Sequence, residues 1–284
     1  MRHRDRAVIV GVDGSEAGLA AVRFAGAEAV LRGNPVELVA AFRPHPTMCA
    51  GRRLGRRAPA AHRRLVDAVA AVRVGHSQLS VQTALVMGDL ADTLIARSGN
   101  AALVVVAEGG PTNAWQRIAG HCLAPVVLVR HGYQAGGPVV LGVDGVTLSA
   151  AAADFAYAEA ALRGVPLVAV HVWTGLPATG LSTVDPFAYD LAVARSEADR
   201  VPAEGLAGWS EKFPDVLVER RVVLAANVGE ELVRQAAGAA VLVVGARSSE
   251  ARSDLLLGPV TRFAMLGAAC PVAVLNPVPS VSRV

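Results

Sequence analysis

Cysteine, lysine and aromatic residues are scarce in this chain of 284 residues. The three cysteines, Cys49, Cys122 and Cys270, stand far apart and do not have the spacing of a disulfide framework or a zinc site. Aromatic residues make up only 4% of the chain. The composition therefore excludes a small disulfide-stapled fold, and we expect the cysteines to be buried packing residues.

Long uninterrupted apolar runs are also missing. No run reaches the roughly 18 uncharged residues that cross a bilayer, although 53% of the residues are hydrophobic and 18% are charged. Residues 1–6 lead directly into the apolar Ala7–Val10, without the apolar stretch and cleavage site of a secretory signal. We therefore expect a cytoplasmic protein with large buried sheets and no membrane contact.

One segment, Arg43–Arg64, is strongly basic and contains three arginine pairs. Such a segment is compatible with a surface for nucleic acid, acidic lipid or an acidic partner. The alternative is a solvated loop in an arginine-biased chain, since Lys212 is its only lysine. We favour the solvated loop, because the segment lacks the interleaved aromatics on which bases stack. Nucleic acid is therefore not an expected partner.

The strongest feature of the sequence is an internal repeat. Shifting the chain by 131 positions aligns Val8–Gly14 with Val139–Gly145, and the match continues without a gap for some 35 positions, roughly half of them identical. Identity at this level indicates a duplication. The sequence therefore predicts two domains, residues 1–133 and 137–284, joined near Arg130–Pro138.

Each copy contains five apolar runs that predict strands, with helical patterns between them. In the first copy these runs are Val8–Val12, Val36–Phe42, Leu79–Val86, Ala102–Val106 and Pro125–Val129. In the second copy they are Val139–Val143, Leu167–Trp173, Val216–Leu224, Val241–Val244 and Pro271–Leu275. Apolar runs that do not alternate favour parallel strands buried on both faces. The predicted fold is α/β, with two tandem five-stranded, doubly wound parallel sheets.

Short motifs that contain glycine mark the ends of several strands. Gly-Val-Asp-Gly ends the first strand of each copy, Val-Leu-Val-Val-Gly-Ala-Arg covers residues 241–247, and Leu-Leu-Gly-Pro-Val-Thr-Arg covers residues 256–262. These motifs resemble those of the universal stress protein family. The resemblance implies Rossmann-like domains of the adenine nucleotide alpha hydrolase type and a protein that is usually dimeric. It also implies a nucleotide-binding branch with the pattern G-x2-G-x9-G-[S/T], whose backbone N–H groups wrap the phosphates.

The second copy keeps the spacing of this pattern but not all of its residues. It reads G-A-R-S from Gly245 and, nine residues later, G-P from Gly258. Ser248 replaces a glycine, and Pro259 removes one N–H and one hydroxyl from the phosphate shell. Losing one or two charge-assisted bonds, at about 1.5–3 kcal/mol each, would weaken ATP binding. Thr261 and its neighbour at position 262 would compensate in part.

The resemblance also assigns roles to residues at the ends of the first two strands. Asp144 resembles the aspartate that contacts adenosine, and Val170 resembles the residue that lines the adenine slot. Each has a simpler interpretation, a helix cap for Asp144 and core packing for Val170, and His171 is expected to be a satisfied near-core histidine. The candidate nucleotide-binding residues are Gly142, Asp144, Val170, Gly245, Arg247, Ser248, Gly258, Val260 and Thr261.

The expected ligand is ATP, with Mg²⁺ as its companion ion. No arrangement of nucleophile and base, paired carboxylates or metal ligands stands out in the sequence. We therefore expect no catalytic residues and no enzyme, apart from the weak hydrolysis associated with such folds.

The first copy has a shorter loop at the equivalent place. Its residues Ala107–Thr112 replace a segment that is about eight residues longer in the second copy. A loop this short cannot enclose a triphosphate, and Glu108 would repel one. We therefore expect the first copy not to bind nucleotide, and its crevice near Asp13 to be narrowed or closed by Glu108–Pro111.

Two hypotheses for function follow. The first is a stress-associated regulator that senses adenine nucleotide through the second domain, and the second is a tandem scaffold that acts through protein–protein interaction. The last strands, Val126–Val129 and Val272–Leu275, are expected at sheet edges, where unpaired backbone groups would join the two domains as an internal pseudo-dimer. A homodimer of whole chains is compatible with both hypotheses.

Overall fold

The computed structural model describes residues 6–43, 54–109, 114–133, 136–144, 150–174, 191–246 and 257–277. The chain divides into two compact units, Met1–Tyr133 and Gln134–Val284, which we call unit 1 and unit 2.

Unit 1 alternates strands and helices along the chain. Its strands are β1 (Ala7–Gly11), β2 (Val36–Phe42), β3 (Val81–Met87), β4 (Ala101–Ala107) and β5 (Val126–Val129). Its helices are α1 (Glu16–Arg32), α2 (Leu54–Gly75), α3 (Leu90–Arg97) and α4 (Ala114–His121), with a short 3₁₀ turn at Ser98–Asn100. The strands pair in parallel in the order β3-β2-β1-β4-β5.

Unit 2 repeats this arrangement. Its strands are β6 (Val139–Gly142), β7 (Leu167–Trp173), β8 (Val218–Leu224), β9 (Val241–Gly245) and β10 (Val272–Leu275). Its helices are α5 (Ala150–Arg163), α6 (Leu191–Gly205), α7 (Trp209–Lys212), α8 (Val228–Gln235) and α9 (Pro259–Gly267). The strands are again parallel, in the order β8-β7-β6-β9-β10. The predicted α/β fold with doubly wound parallel sheets is confirmed.

The helix that follows the first strand is bounded by local signals. In unit 1, Ser15 is the N-cap of α1, and its Oγ accepts a hydrogen bond from the Gly18 N–H at 2.9 Å. Gly33 ends the same helix in the left-handed region, with φ +65°. Gly164 follows α5 in unit 2 with φ +63°, so the duplicated sequence stops both helices in the same way.

The central strands form the core, whereas the outer strands β3 and β8 do not. Side chains of the central strands are fully buried, for example those of Val8, Leu103, Leu141 and Leu242. The expectation of strands buried on both faces is wrong for β3 and β8, whose residues are mostly half-buried or exposed. Each of these strands ends its unit's order and has one neighbouring strand, so less of its surface is covered.

Each unit buries an ion pair at the same place in its first helix. Glu28 and Arg32 pair within α1, and Glu159 and Arg163 pair within α5. Both glutamates are almost completely inaccessible, with 4% and 2% of their surface exposed. The pairs are related by the internal repeat, and each places two charges four residues apart on one helix face.

The cysteines within the described residues are packing residues. Cys122 and Cys270 are buried, and neither forms a disulfide bond. Burial raises the pKa of each thiol to about 11, so both stay protonated at neutral pH. Cys49 lies outside the described residues.

The basic segment is helical in its second half. Helix α2 begins at Leu54, so the expected solvated loop over Arg43–Arg64 is wrong from that residue onward. Arg63 and Arg64 are exposed on this helix. Across the ranges that the structure describes, none of the helices has the length and apolar character to span a membrane.

Candidate functional site

The carboxyl ends of β6 and β9 bring the predicted residues of unit 2 to one end of its sheet. In a doubly wound sheet, the strand order reverses between the first and fourth strands, which opens a crevice there. Gly142 ends β6 and Gly245 ends β9. Asp144 follows β6 and is exposed, while Gly258 precedes α9.

The packing behind this crevice is close. A Cβ at Gly142 would lie 3.0 Å from a terminal methyl group of Leu232 on α8, which only glycine avoids without displacement. Val170 pairs with Gly142 in the sheet and is buried. His171 is also buried, and its Nδ1 lies 3.0 Å from the Val143 carbonyl oxygen, as expected for a satisfied histidine.

Two hydrogen bonds tie α9 to the end of β9. The Gly258 N–H donates to the Ala246 carbonyl at 2.8 Å. The Thr261 Oγ donates to the Gly245 carbonyl at 2.6 Å, and Thr261 is buried. These two bonds within the chain hold the first turn of α9 against the carboxyl end of the sheet.

These two bonds reduce the number of hydrogen-bond donors that remain for a phosphate group. The Gly258 N–H and the Thr261 hydroxyl hydrogen are already used within the protein. Pro259 is the first residue of α9 and has no N–H. The first intrahelical bond runs from the Arg262 N–H to the Gly258 carbonyl. The backbone N–H groups of Val260 and Thr261 therefore have no acceptor within the helix.

Replacing Thr261 by valine should lower the free energy of unfolding of unit 2 by about 1 kcal/mol. Valine preserves the shape of the side chain but leaves the Gly245 carbonyl without its hydroxyl donor. The measurement is urea denaturation of the parent and the variant. Thr261→Ser keeps the hydroxyl and is the control for the bond, and a loss for serine as large as that for valine would contradict the assignment.

Strand pairing locates the equivalent loop in unit 1. Ala107 and Val129 pair in unit 1 as Gly245 and Leu275 pair in unit 2. The offset between the copies is thus 138 residues at the fourth strand and 146 at the fifth. The loop of unit 1 is therefore shorter by eight residues, and the offset of 146 places Trp115 where unit 2 has Thr261.

The carboxylate of Glu108 in unit 1 is paired within the chain. It forms an ion pair with Arg130 at 2.6 Å and accepts the His131 N–H at 3.1 Å. The ion pair offsets part of the charge of Glu108, and the expected repulsion of a phosphate by Glu108 stays a prediction. This contact joins residues 22 positions apart.

A crevice of about 130 Å³ remains open in unit 1. Gly109 lines the crevice and residues 110–113 lie outside the described residues, so the expected narrowing by Glu108–Pro111 stays a prediction. The residues that line the crevice come from β1, β4, α3, α4 and the segments that follow or precede them: Gly11, Asp13, Asp89, Leu90, Ala91, Leu94, Val106, Ala107, Gly109, Ala114, Trp115 and Ile118.

Asp13 supports the start of α1. Its Oδ1 accepts hydrogen bonds from the Ser15 N–H at 2.9 Å and the Ser15 hydroxyl at 2.7 Å. A Cβ at Gly18 would lie only 2.2 Å from the same oxygen, so glycine leaves room for this carboxylate over the first helical turn. Asp13 thus orients Ser15, the N-cap of α1.

Comparison with known proteins settles the family. The sequence profile described as the universal stress protein family matches residues 6–130 and again residues 137–276. The chain belongs to the universal stress protein family.

Two mycobacterial universal stress proteins are similar to the whole chain. The one from Mycolicibacterium smegmatis is 32% identical over 290 residues, which cover 95% of this chain and 97% of that protein. One from Mycobacterium tuberculosis strain H37Rv is 32% identical over 292 residues, which cover 94% and 95%. Among solved structures, a universal stress protein from Archaeoglobus fulgidus has a TM-score of 0.67, 13% identity and coverage of 95% of this chain and 98% of that chain. This structural likeness shows a shared fold.

In this universal stress protein, the predicted site residues and the residues that line the crevices are not the same set. Arg247 and Ser248, which the sequence predicted as ligand contacts, lie outside the described residues. Asp89 and Trp115 line the unit 1 crevice and were missed. Asp89 had a usable signal, since Gly-Asp-Leu at the end of a strand is a helix-start pattern, whereas Trp115 had none. Within the described part of the chain, no group of three side chains is placed to hold a metal ion.

Proposed function

We propose that this universal stress protein is a stress-associated regulator that binds adenine nucleotide in the crevice of unit 2. The observation that carries the proposal is the first turn of α9, held at the carboxyl end of β9, where the Val260 and Thr261 N–H groups have no acceptor within the helix. A helix N-terminus favours negative charge, so a phosphate group at this turn would be stabilised. ATP with Mg²⁺ is the first ligand to test.

The nucleoside end of the proposed ligand would lie toward β6 and β7. Asp144 is exposed just beyond the end of β6, where its carboxylate can accept hydrogen bonds from ribose hydroxyls. Gly142 and Val170 lie side by side at the ends of the two strands. Arg247 and Ser248 belong to the segment between β9 and α9 and complete the proposed set with Gly245 and Gly258.

The phosphate end of this site has few donors. Pro259 lacks an N–H, and the N–H of Gly258 is bonded to Ala246. The hydroxyl hydrogen of Thr261 is bonded to Gly245. Compensation for Pro259 would therefore come from the N–H groups of Val260 and Thr261, not from the threonine hydroxyl.

Replacing Pro259 by serine should tighten ATP binding by about tenfold, since one added donor to a charged group contributes at least about 1.4 kcal/mol. Serine adds a backbone N–H and a hydroxyl at the first position of α9. Adenosine has no phosphate, so its affinity should change little. Calorimetric titration of the parent and the variant with both ligands measures the effect.

Gly258→Asp is the opposing variant. Gly258 has φ −65°, a conformation open to any residue. An aspartate at this N-cap would accept the first-turn N–H groups and place a negative charge beside the phosphates. ATP binding should weaken by about tenfold or more, whereas the uncharged Gly258→Ser should have a smaller effect. For the earlier variant, Pro259→Ser, equal gains in affinity for ATP and for adenosine would contradict the inference that Pro259 weakens the phosphate contacts specifically.

The second candidate function is a tandem scaffold without nucleotide binding. Pro259 favours it, because this residue occupies the place at which the binding pattern requires serine or threonine. The shorter loop of unit 1 points the same way. If neither the parent nor Pro259→Ser binds ATP, the scaffold is the better description. Mass spectrometry of gently purified protein, searching for co-purified nucleotide, gives an independent result. We propose no catalytic step for this chain.

A further inference from the structure

The residues that line the crevice of unit 1 suit a small ligand but not a phosphate group. Leu90, Leu94, Val106 and Ile118 form an apolar lining. Trp115 faces this space at the position that holds Thr261 in unit 2. A tryptophan there replaces a hydroxyl by a large aromatic surface, which suits an apolar or aromatic group.

The size of the crevice limits its occupant. Its volume is about 130 Å³. An apolar cavity of about 150 Å³ is large enough to bind a single benzene ring. The enclosed part of the crevice therefore matches about one aromatic ring, and a short arm on that ring would extend to the open mouth.

The charges that line the crevice are negative. Among the described residues that line it, the ionisable ones are Asp13 and Asp89. Asp89 is paired with Arg43, and Arg117 lies 3.8 Å away. Burial acts to raise the pKa of Asp89, but hydrogen bonds from the Asp92 N–H and from Arg43 hold the pKa below its usual value. Asp89 is thus ionised and largely neutralised.

Asp13 differs from Asp89 in forming no ion pair within 4.0 Å among the described residues, although the Arg64 side chain lies over the neighbouring Gly14. Its Oδ1 is bonded to Ser15, and the side chain is exposed at the crevice mouth. The remaining Oδ2 is a carboxylate acceptor beside an apolar space. Such an oxygen attracts a cation or a hydrogen-bond donor and repels an anion.

We propose that the unit 1 crevice binds a small aromatic amine, with the ring against Leu94, Ile118 and Trp115 and the ammonium group at Asp13. This ligand differs in charge and size from the nucleotide proposed for unit 2. The proposal is independent of that function, because it depends on residues of unit 1 alone.

The test is calorimetric titration of the full chain with three ligands that share one ring: 2-phenylethylammonium, 2-phenylethanol and 3-phenylpropanoate. The ammonium compound should bind about fivefold more tightly than the alcohol, as for an exposed ion pair of about 1 kcal/mol. The carboxylate should bind more weakly than both. Asp13→Asn should reduce the affinity for the ammonium compound to that for the alcohol. Asparagine retains Oδ1, so the bonds to Ser15 survive.

Two further variants locate the binding site. Asp67→Asn removes a charge from the exposed face of α2 in the same unit, and it should leave binding unchanged. Ala114→Phe fills the crevice from the first residue of α4 and should abolish binding of all three ligands. If this variant does not fold, Asp13→Asn still decides the role of the charge.

Several results would overturn the proposal. No binding by any of the three compounds would show that the crevice is not a ligand site. Equal binding of the ammonium compound and the alcohol, or no response to Asp13→Asn, would refute the role of Asp13. Binding that survives in folded Ala114→Phe would place the ligand elsewhere, and displacement of the amine by ATP would make the crevice a nucleotide site.

Discussion

Replacing Gly137 by alanine should lower the free energy of unfolding of unit 2 by about 3 kcal/mol. Gly137 has φ +74°, and an added Cβ would lie 2.1 Å from the carbonyl oxygen of Gly238. The neighbouring backbone cannot easily move away, because the Ala240 N–H donates to the Pro138 carbonyl at 2.9 Å. Alanine would thus combine an unfavourable backbone conformation with a backbone clash at the entrance to β6.

Gly164→Ala is the matched control for this prediction. Gly164 also has a positive φ, +63°, but an added Cβ would meet nothing within 4 Å. This variant carries only the conformational cost, about 1 kcal/mol. Urea denaturation of both variants, monitored by circular dichroism, separates the two contributions. Equal losses would show that the contact between Gly137 and Gly238 does not limit stability.

Replacing Glu159 by glutamine should also lower the free energy of unfolding of unit 2 by about 3 kcal/mol. Glu159 is 2% exposed and pairs with Arg163, whose side chain is 15% exposed. Glutamine removes the negative charge that faces a mostly buried guanidinium. Breaking a buried ion pair by neutralising one partner costs more than the net contribution of the intact pair.

An exposed pair in the same unit provides the control. Arg200 and Glu204 are also four residues apart, and their side chains are 69% and 68% exposed. Glu204→Gln should change stability by less than about 0.5 kcal/mol, because water already screens both charges. Glu28→Gln should repeat the large loss in unit 1. Similar small changes for Glu159→Gln and Glu204→Gln would refute the buried-charge argument.

The elements of this fold were largely predictable from the sequence. The bounds of β2 and β7 match the predicted Val36–Phe42 and Leu167–Trp173, and the other strands differ by one or two residues at their ends. The repeat supplied each element twice, so a weak pattern in one copy was supported by the other. The prediction of burial on both faces failed at β3 and β8, because an apolar run in the sequence does not indicate whether its strand lies at the centre or at an edge of the sheet.

The location of the candidate site in unit 2 was predictable from the sequence. The hydrogen-bond donors that remain there for a ligand were not. The ends of β6 and β9 follow from strand order, which places Gly142 and Gly245 together. The bonds that use the Gly258 N–H and the Thr261 hydroxyl join residues 12 and 16 positions apart. They depend on how the first turn of α9 packs on β9, which spacing alone does not specify.

The expected pseudo-dimer through Val126–Val129 and Val272–Leu275 stays a prediction.

By itself the sequence determined the duplication, the order of strands and helices, the glycines that end α1 and α5, and the family. These properties are local or repeated, so hydrophobic runs and short motifs encode them directly. Only the tertiary structure decided where Glu108 directs its charge and that Trp115 and Asp13 border one crevice. Such contacts join distant parts of the chain, and their geometry depends on the packing of helices against strands, which no local pattern records.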